Sequence, residues 1–233
     1  MTPPEAPGVG NVAGIAELAA CYADAPEGVR ANMIFSADGA AAFGGRAGPL
    51  SCPVDQQLLK ILRGFADVVL VGAGTARAEN YGPVRLTETR RAAPPPIAVV
   101  SRTGVLPTRL FSNPDQPPIL VTCAQAAAQH DLSSDDRRHV LVAGEHSVDV
   151  ARAVALLRAE GMHRILCEGG PTLLDELVEA DAVAELCVTV APKLAASQPV
   201  GQRLAPSRLV APVTMRLAHA LVHDDYLFLK YCR

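Results

Sequence analysis

The sequence predicts an α/β fold: a mixed, mainly parallel sheet of about eight strands, with helices on both faces and an antiparallel hairpin at the carboxyl end. Three observations predict it. Val68-Val69-Leu70-Val71 is an unbroken apolar run, the pattern of a strand buried on both faces. Short apolar runs alternate with segments of helical pattern, which calls for right-handed βα crossovers. Near the end, Val213, Met215, Leu217, His219 and Leu221 alternate with mostly smaller or polar residues, and Tyr226 to Tyr231 follows across Asp224-Asp225, which reads as a hairpin.

Residues 1–28 hold four prolines and little periodicity, so they read as an N-terminal extension with one short helix from Ala13; residues 29–233 form the main domain. Val29 to Phe35 is a strand running into Ser36-Ala37-Asp38-Gly39, where Asp-Gly signals a turn. Asp38 either faces a ligand or holds that turn through its own backbone. Ala40 to Pro49 is a glycine-rich loop of the kind that covers sites. Ser51 or Cys52 caps a helix with Pro53 near its first position, Leu58, Leu59, Ile61 and Leu62 along its apolar side, and Gly64 at its end.

The strand Ala66 to Val71 runs into the glycine turn Gly72-Ala73-Gly74-Thr75, which lacks the third glycine of a dinucleotide fingerprint. After a proline-rich connector at Ala92 to Pro96, the strand Ile97 to Val100 ends in Ser101-Arg102-Thr103. An arginine and two hydroxyls suit a phosphate monoester; a solvated surface arginine is the alternative. Ile119 to Thr122 and Val140 to Val142 are further strands, Ala124 to Gln129 is a helical turn, and a helix spans about Val148 to Glu160.

Arg164 to Cys167 is a short strand, Gly169-Gly170 a turn, and Pro171 the first position of a helix to about Glu179. That geometry gathers free N–H groups and the positive end of a helix dipole at one point, which attracts an anion. Side chains other than glycine would hold a phosphate away from the backbone. The strand Glu185 to Ala191 and a loop over Gly201 to Pro212 lead to the hairpin, which His219 and His223 decorate. The turns at Gly72, Ser101 and Gly169 are expected to share the carboxyl edge of the sheet, where open α/β sheets bind ligands.

Composition excludes several classes. Aromatics are 4% of the 233 residues and Trp is absent, which argues against base-stacking platforms. A formal charge of −3 without a basic run gives no footprint for nucleic acid or a membrane surface. No apolar stretch is long enough to span a bilayer, and no signal peptide is legible. The six cysteines and six histidines lack ligand spacing, so no metal is expected. The cysteines read as small buried hydrophobes of a reducing compartment, which places the protein in the cytoplasm.

The Ser36-Asp38-Gly39 turn, the segment Ala66 to Thr75 with Ala76-Arg77-Ala78-Glu79-Asn80, Glu168-Gly169-Gly170-Pro171-Thr172-Leu173 and Ala191-Pro192-Lys193-Leu194 together resemble the reductase domain of the bifunctional riboflavin-biosynthesis deaminase/reductase. The resemblance covers about Val29 to Tyr231 and implies a dihydrofolate reductase-like fold. It implies NADPH as hydride donor, contacted by Gly72, Ala73, Gly74, Thr75 and Glu79. Ser101 and Arg102 would face its 2′-phosphate, and Gly169, Gly170, Pro171, Thr172 and Leu173 would cradle its diphosphate. Phe35 would meet the nicotinamide. It also implies a small-molecule substrate, 5-amino-6-(5-phosphoribosylamino)uracil, whose ribosyl group becomes ribityl. Arg63 and Arg85 match positions that hold its phosphate, and Glu168 matches a substrate carboxylate. Asp38 or a bound water would deliver the proton, and a homodimer is expected.

Two departures stand out. Asn32 occupies the place of a lysine in the pattern Lys-x-x-x-Ser-x-Asp-Gly, and the substrate loop reads Arg46-Ala47-Gly48-Pro49-Leu50. They keep open the reduction of another heterocycle, such as dihydrofolate or a pterin, and a non-catalytic nucleotide-binding protein. The zinc deaminase patterns His-x-Glu and Pro-Cys-x-x-Cys are absent, so no deamination is expected.

Overall fold

The computed structural model describes residues 8–86, 93–198 and 206–233. The connector expected from Ala92 and the loop expected over 201–212 lie partly outside them. One ten-stranded sheet organises the chain, in the order β1-β9-β10-β8-β2-β7-β3-β4-β5-β6. Its strands are β1 Gly8–Asn11, β2 Gly28–Ser36, β3 Val68–Gly72, β4 Ile97–Val100, β5 Ile119–Thr122, β6 His139–Val142, β7 Arg164–Cys167, β8 Val183–Ala191, β9 Arg216–His223 and β10 Tyr226–Cys232. The pairings are parallel except those of β10 with β9 and with β8. This is the expected mixed, mainly parallel sheet with its C-terminal hairpin, at ten strands rather than about eight.

The helices are α1 Ile15–Ala20, α2 Pro53–Phe65, α3 Ala73–Ala78, α4 Ala124–Gln129, α5 Val150–Ala159 and α6 Pro171–Glu179. Leu18, Leu58, Leu62 and Ala76, from α1, α2 and α3, pack with Val69, Val71 and Val99 on one side of the sheet. Ala153, Leu157, Leu173 and Leu177, from α5 and α6, pack with Val68, Leu70 and Ala98 on the other. Strand β3 therefore buries both faces, as its apolar run requires.

The N-terminal segment is no loose tail from Gly8 onward. β1 pairs in parallel with β9, and α1 packs on α2. Cations from the sheet satisfy the carbonyls just past α1: Arg30 donates to Tyr22 O (3.0 Å) and Asp24 O (3.2 Å), and Lys230 donates to Cys21 O (3.0 Å). Helix α2 runs through Gly64 instead of ending there, because Ala66 takes the extended conformation that stops it. Gly72 begins a helix rather than a free turn: it is the extended N-cap of α3.

Candidate active site

Strands β3 and β7 are neighbours, so their two glycine segments meet: Gly72 N–H donates to Gly169 O at 2.8 Å. Gly169 has φ of 77°, and a Cβ there would lie 2.8 Å from Met33 Sδ. A Cβ on Gly170 would lie 2.6 Å from Thr75 Oγ1. Both positions therefore demand glycine for space, and Gly169 also for conformation. Gly72, Gly74, Thr75, Ala78, Gly170, Pro171, Thr172 and Leu173 line a cleft of about 310 Å³ at the N-terminus of α6, with Gly45 opposite. Of the turn residues expected around an anion, Gly72, Gly74, Thr75, Gly170, Pro171, Thr172 and Leu173 gather there, whereas Ala73 is buried against the sheet and Gly169 does not line the cleft.

A second cavity of about 340 Å³ adjoins it, sharing Gly45, Thr75, Ala78, Gly170 and Pro171. Asp55, Leu59 and Arg63, one turn apart along α2, line it, as do Asn32 to Ile34 of β2, the loop around Arg46 and Gly48, Glu79, Tyr81 and Glu168. Glu168, nearly fully buried, accepts Arg63 Nε and Nη2, each at 2.6 Å, and the Tyr81 hydroxyl, also at 2.6 Å. This bidentate pair raises the Arg63 pKa further although burial opposes the charge, and burial, followed by the Glu168 charge, pushes the Tyr81 phenol well up.

Other expected site residues are placed differently from the turn residues. Glu79 latches the loop: it accepts Ala47 N–H at 2.6 Å and faces Arg46 Nε at 3.4 Å. Asp38 lies outside both cavities. It accepts Ser36 Oγ at 2.5 Å and the Ala195 and Ala196 N–H groups at 3.0 and 2.8 Å. The Ser36 hydroxyl first, then those N–H groups, hold its carboxyl below the usual range, so it stays ionised and fixes the turn. Arg85 is exposed and does not line the cavity. Arg102 is exposed, whereas Ser101 is buried and its Oγ has no partner among the described residues. Phe35, next to last in β2, pairs with Val190 and lines neither cavity.

The RibD C-terminal domain family matches residues 27–224. The chain belongs to this family. It is an oxidoreductase of the pyrimidine reductase class. The 2,5-diamino-6-ribosylamino-4(3H)-pyrimidinone 5′-phosphate reductase of Archaeoglobus fulgidus is 28% identical over 194 residues, covering 79% of this chain and 80% of that protein. A pyrimidine reductase-like protein from Corynebacterium diphtheriae superposes with a TM-score of 0.76 at 26% identity, covering 91% of this chain and 93% of that one. The deaminase/reductase of Thermotoga maritima shares the fold at 18% identity, with a TM-score of 0.68 over 88% of this chain and 56% of that one.

Within this RibD-type site one carboxyl group stands apart, and the sequence reading passed over it. Asp55 accepts Ser51 Oγ at 2.5 Å and Thr189 Oγ1 at 2.7 Å. Burial pushes its carboxyl above the usual range while those two hydroxyls pull the other way, and no charged group contributes. Of the cavity's carboxyl groups, Glu79 and Glu168 face arginines; among the described residues Asp55 has no cationic partner. Its place eight residues before Arg63, on one face of α2, was the available signal.

Proposed function

We propose that the chain reduces a 5-amino-6-ribosylaminopyrimidine 5′-phosphate to its ribityl form with NADPH, as a step of riboflavin biosynthesis. The observation that carries this reading is the pair of adjoining cavities that share the Gly170–Pro171 turn. The cleft fits the cofactor's diphosphate: no Cβ intrudes at Gly170, and α6 offers the N–H groups of its first turn. The buried Ser101 Oγ, without a partner among the described residues, and the exposed Arg102 suit the 2′-phosphate. Bound NADPH would supply a hydride.

The cavity residues do the rest. They hold the substrate with its sugar C1′ toward the shared turn, in the open-chain imine form. As C1′ takes up hydride, the imine nitrogen needs a proton. Asp55 would supply it: burial raises its carboxyl pKa toward the neutral acid. Glu168, Arg63 and Tyr81 form a rigid wall rather than a free phosphate clamp. Among the described residues lining the cavity, the cation left for the substrate phosphate is Arg46, with a side chain more than half exposed and only loosely paired with Glu79. Asn32, which lines the cavity, offers an amide to the pyrimidine edge in place of an ammonium.

The expected cytoplasmic homodimer belongs to this reading. All six cysteines are free thiols. Val9 and Leu227, on the outer face of β1 and β10, remain exposed and suit a second copy; light scattering measures its mass.

Kinetics of Arg46→Ala test the phosphate assignment. KM for the phosphorylated substrate should rise at least about tenfold, as for loss of a charge-assisted hydrogen bond, with the dephosphorylated substrate unaffected. Equal losses on both would refute it.

A further inference from the structure

The three residues that lead into α2 are gripped from the far strands. Lys193, just past β8, donates its ammonium to Pro49 O at 2.8 Å, Leu50 O at 3.2 Å and Ser51 O at 3.3 Å. These three bonds use all the donors an ammonium has. Tyr226, the first residue of β10, donates its hydroxyl to Leu50 O at 3.0 Å and lies 3.4 Å from Ser51 O, with its ring 5.8 Å from the Lys193 ammonium. Lys193 is itself fixed by its backbone: its O accepts Ala37 N–H at 2.9 Å and its N–H donates to Ala191 O at 2.8 Å. Neither side chain lines the cavity. The gripped segment does, through Ser51, whose hydroxyl donates to Asp55.

We propose that Lys193 and Tyr226 are positioning residues for the reduction: together they clamp residues 49–51 and hold Ser51 and Asp55 against the cavity. This rests on Asp55 as the proton source. Five contacts to consecutive carbonyls exceed what a surface loop needs for its own satisfaction. Their target is the segment immediately before the N-cap of the helix that carries the acid. A carboxyl displaced by about 1 Å loses on the order of 10²-fold in rate.

The test is a double-mutant cycle on the full chain with Lys193→Met and Asp55→Asn. Lys193→Met should lower kcat at least about tenfold, within the coupling range of groups that act through one another. NADPH affinity should hold. On the Asp55→Asn background the same change should cost little. Additive losses, or an unchanged kcat in Lys193→Met, would overturn the clamp. Tyr226→Phe removes only the hydroxyl and covers the case in which Lys193→Met fails to fold; it should show the same non-additivity in smaller measure, and additivity there overturns the clamp. If Asp55→Asn turns over at the wild-type rate, the proton-donor reading fails alone. The clamp is then judged by hydrogen exchange at residues 50–56, which should accelerate in Lys193→Met; unchanged exchange overturns it.

Discussion

Thr189 on β8 donates its hydroxyl to Asp55 Oδ1 on α2 across 2.7 Å, tying the sheet to the helix that lines the cavity of about 340 Å³. Burial raises the Asp55 pKa and outweighs the hydroxyls bonded to the carboxylate, which favour ionisation. Asp55→Asn keeps an acceptor for Thr189 and removes the proton. It should lower kcat by about 10²–10⁴-fold, the usual contribution of a general acid, while NADPH binding stays near wild type.

The pH dependence follows with a definite sign. The Asp55 pKa is raised, so the active protonated form persists above the usual carboxylate range and is lost as pH rises through the raised value. The chemical step should therefore be flat at low pH and decline on the basic side. Asp55→Asn should abolish that limb. An unchanged limb in the variant would assign it to another group.

Gly169→Val should sharply weaken NADPH binding. Its φ of 77° costs a side chain about 1–2 kcal/mol, and the new Cβ would press on Met33 Sδ. Part of the lost stability should return in Gly169→Ala with Met33→Ala, where the obstructing sulfur is gone. Calorimetry with NADPH reads binding and thermal unfolding reads stability; unaltered binding to folded Gly169→Val would move the diphosphate elsewhere.

Glu168→Gln leaves the Arg63 guanidinium mostly buried without its counter-charge. Breaking a buried pair from one side costs about 3–5 kcal/mol, so chemical denaturation should show a loss near the lower figure. A loss below about 1 kcal/mol would mean that solvent reaches the pair.

Much of this architecture is legible in the residues. Val68 to Val71 announces a doubly buried strand, and Gly169-Gly170-Pro171 announces a turn that starts a helix. β1 is not legible: two of its four residues are glycine, and pairing with β9, some two hundred positions away, makes it a strand. α3 hides because Gly-Ala-Gly reads as a turn until Gly72 is seen as a cap. The roles of Asp38, Arg63 and Asp55 are set by partners distant in sequence: Ala195 and Ala196, Glu168, and Thr189. Local pattern holds no information on such pairs.

His219 should make the fold sensitive to acid. It lies edge-on to Tyr22 at 4.7 Å, and its buried Nε2 has no hydrogen-bond partner among the described residues. Burial, then the Lys230 charge, lowers its pKa from 6.5 to about 4, with Asp24 opposing and Arg30 adding. A depressed folded pKa means that its contribution is complete above pH 6.5 and is lost as pH falls toward about 4. Urea unfolding at several pH values across that window should show falling stability, and His219→Gln should flatten the slope. An identical slope in the variant would place the titration elsewhere.

The central claim is hydride transfer from NADPH to the sugar C1′ of a ribosylaminopyrimidine phosphate. The direct measurement supplies NADPH deuterated at the transferring nicotinamide position, together with the 2,5-diamino-pyrimidinone phosphate, the corresponding uracil and dihydrofolate in parallel. The product is then located by NMR. The account predicts one deuterium at C1′ of a ribityl product from a pyrimidine phosphate. Turnover of dihydrofolate alone, or cofactor oxidation without deuterium at C1′, would contradict it.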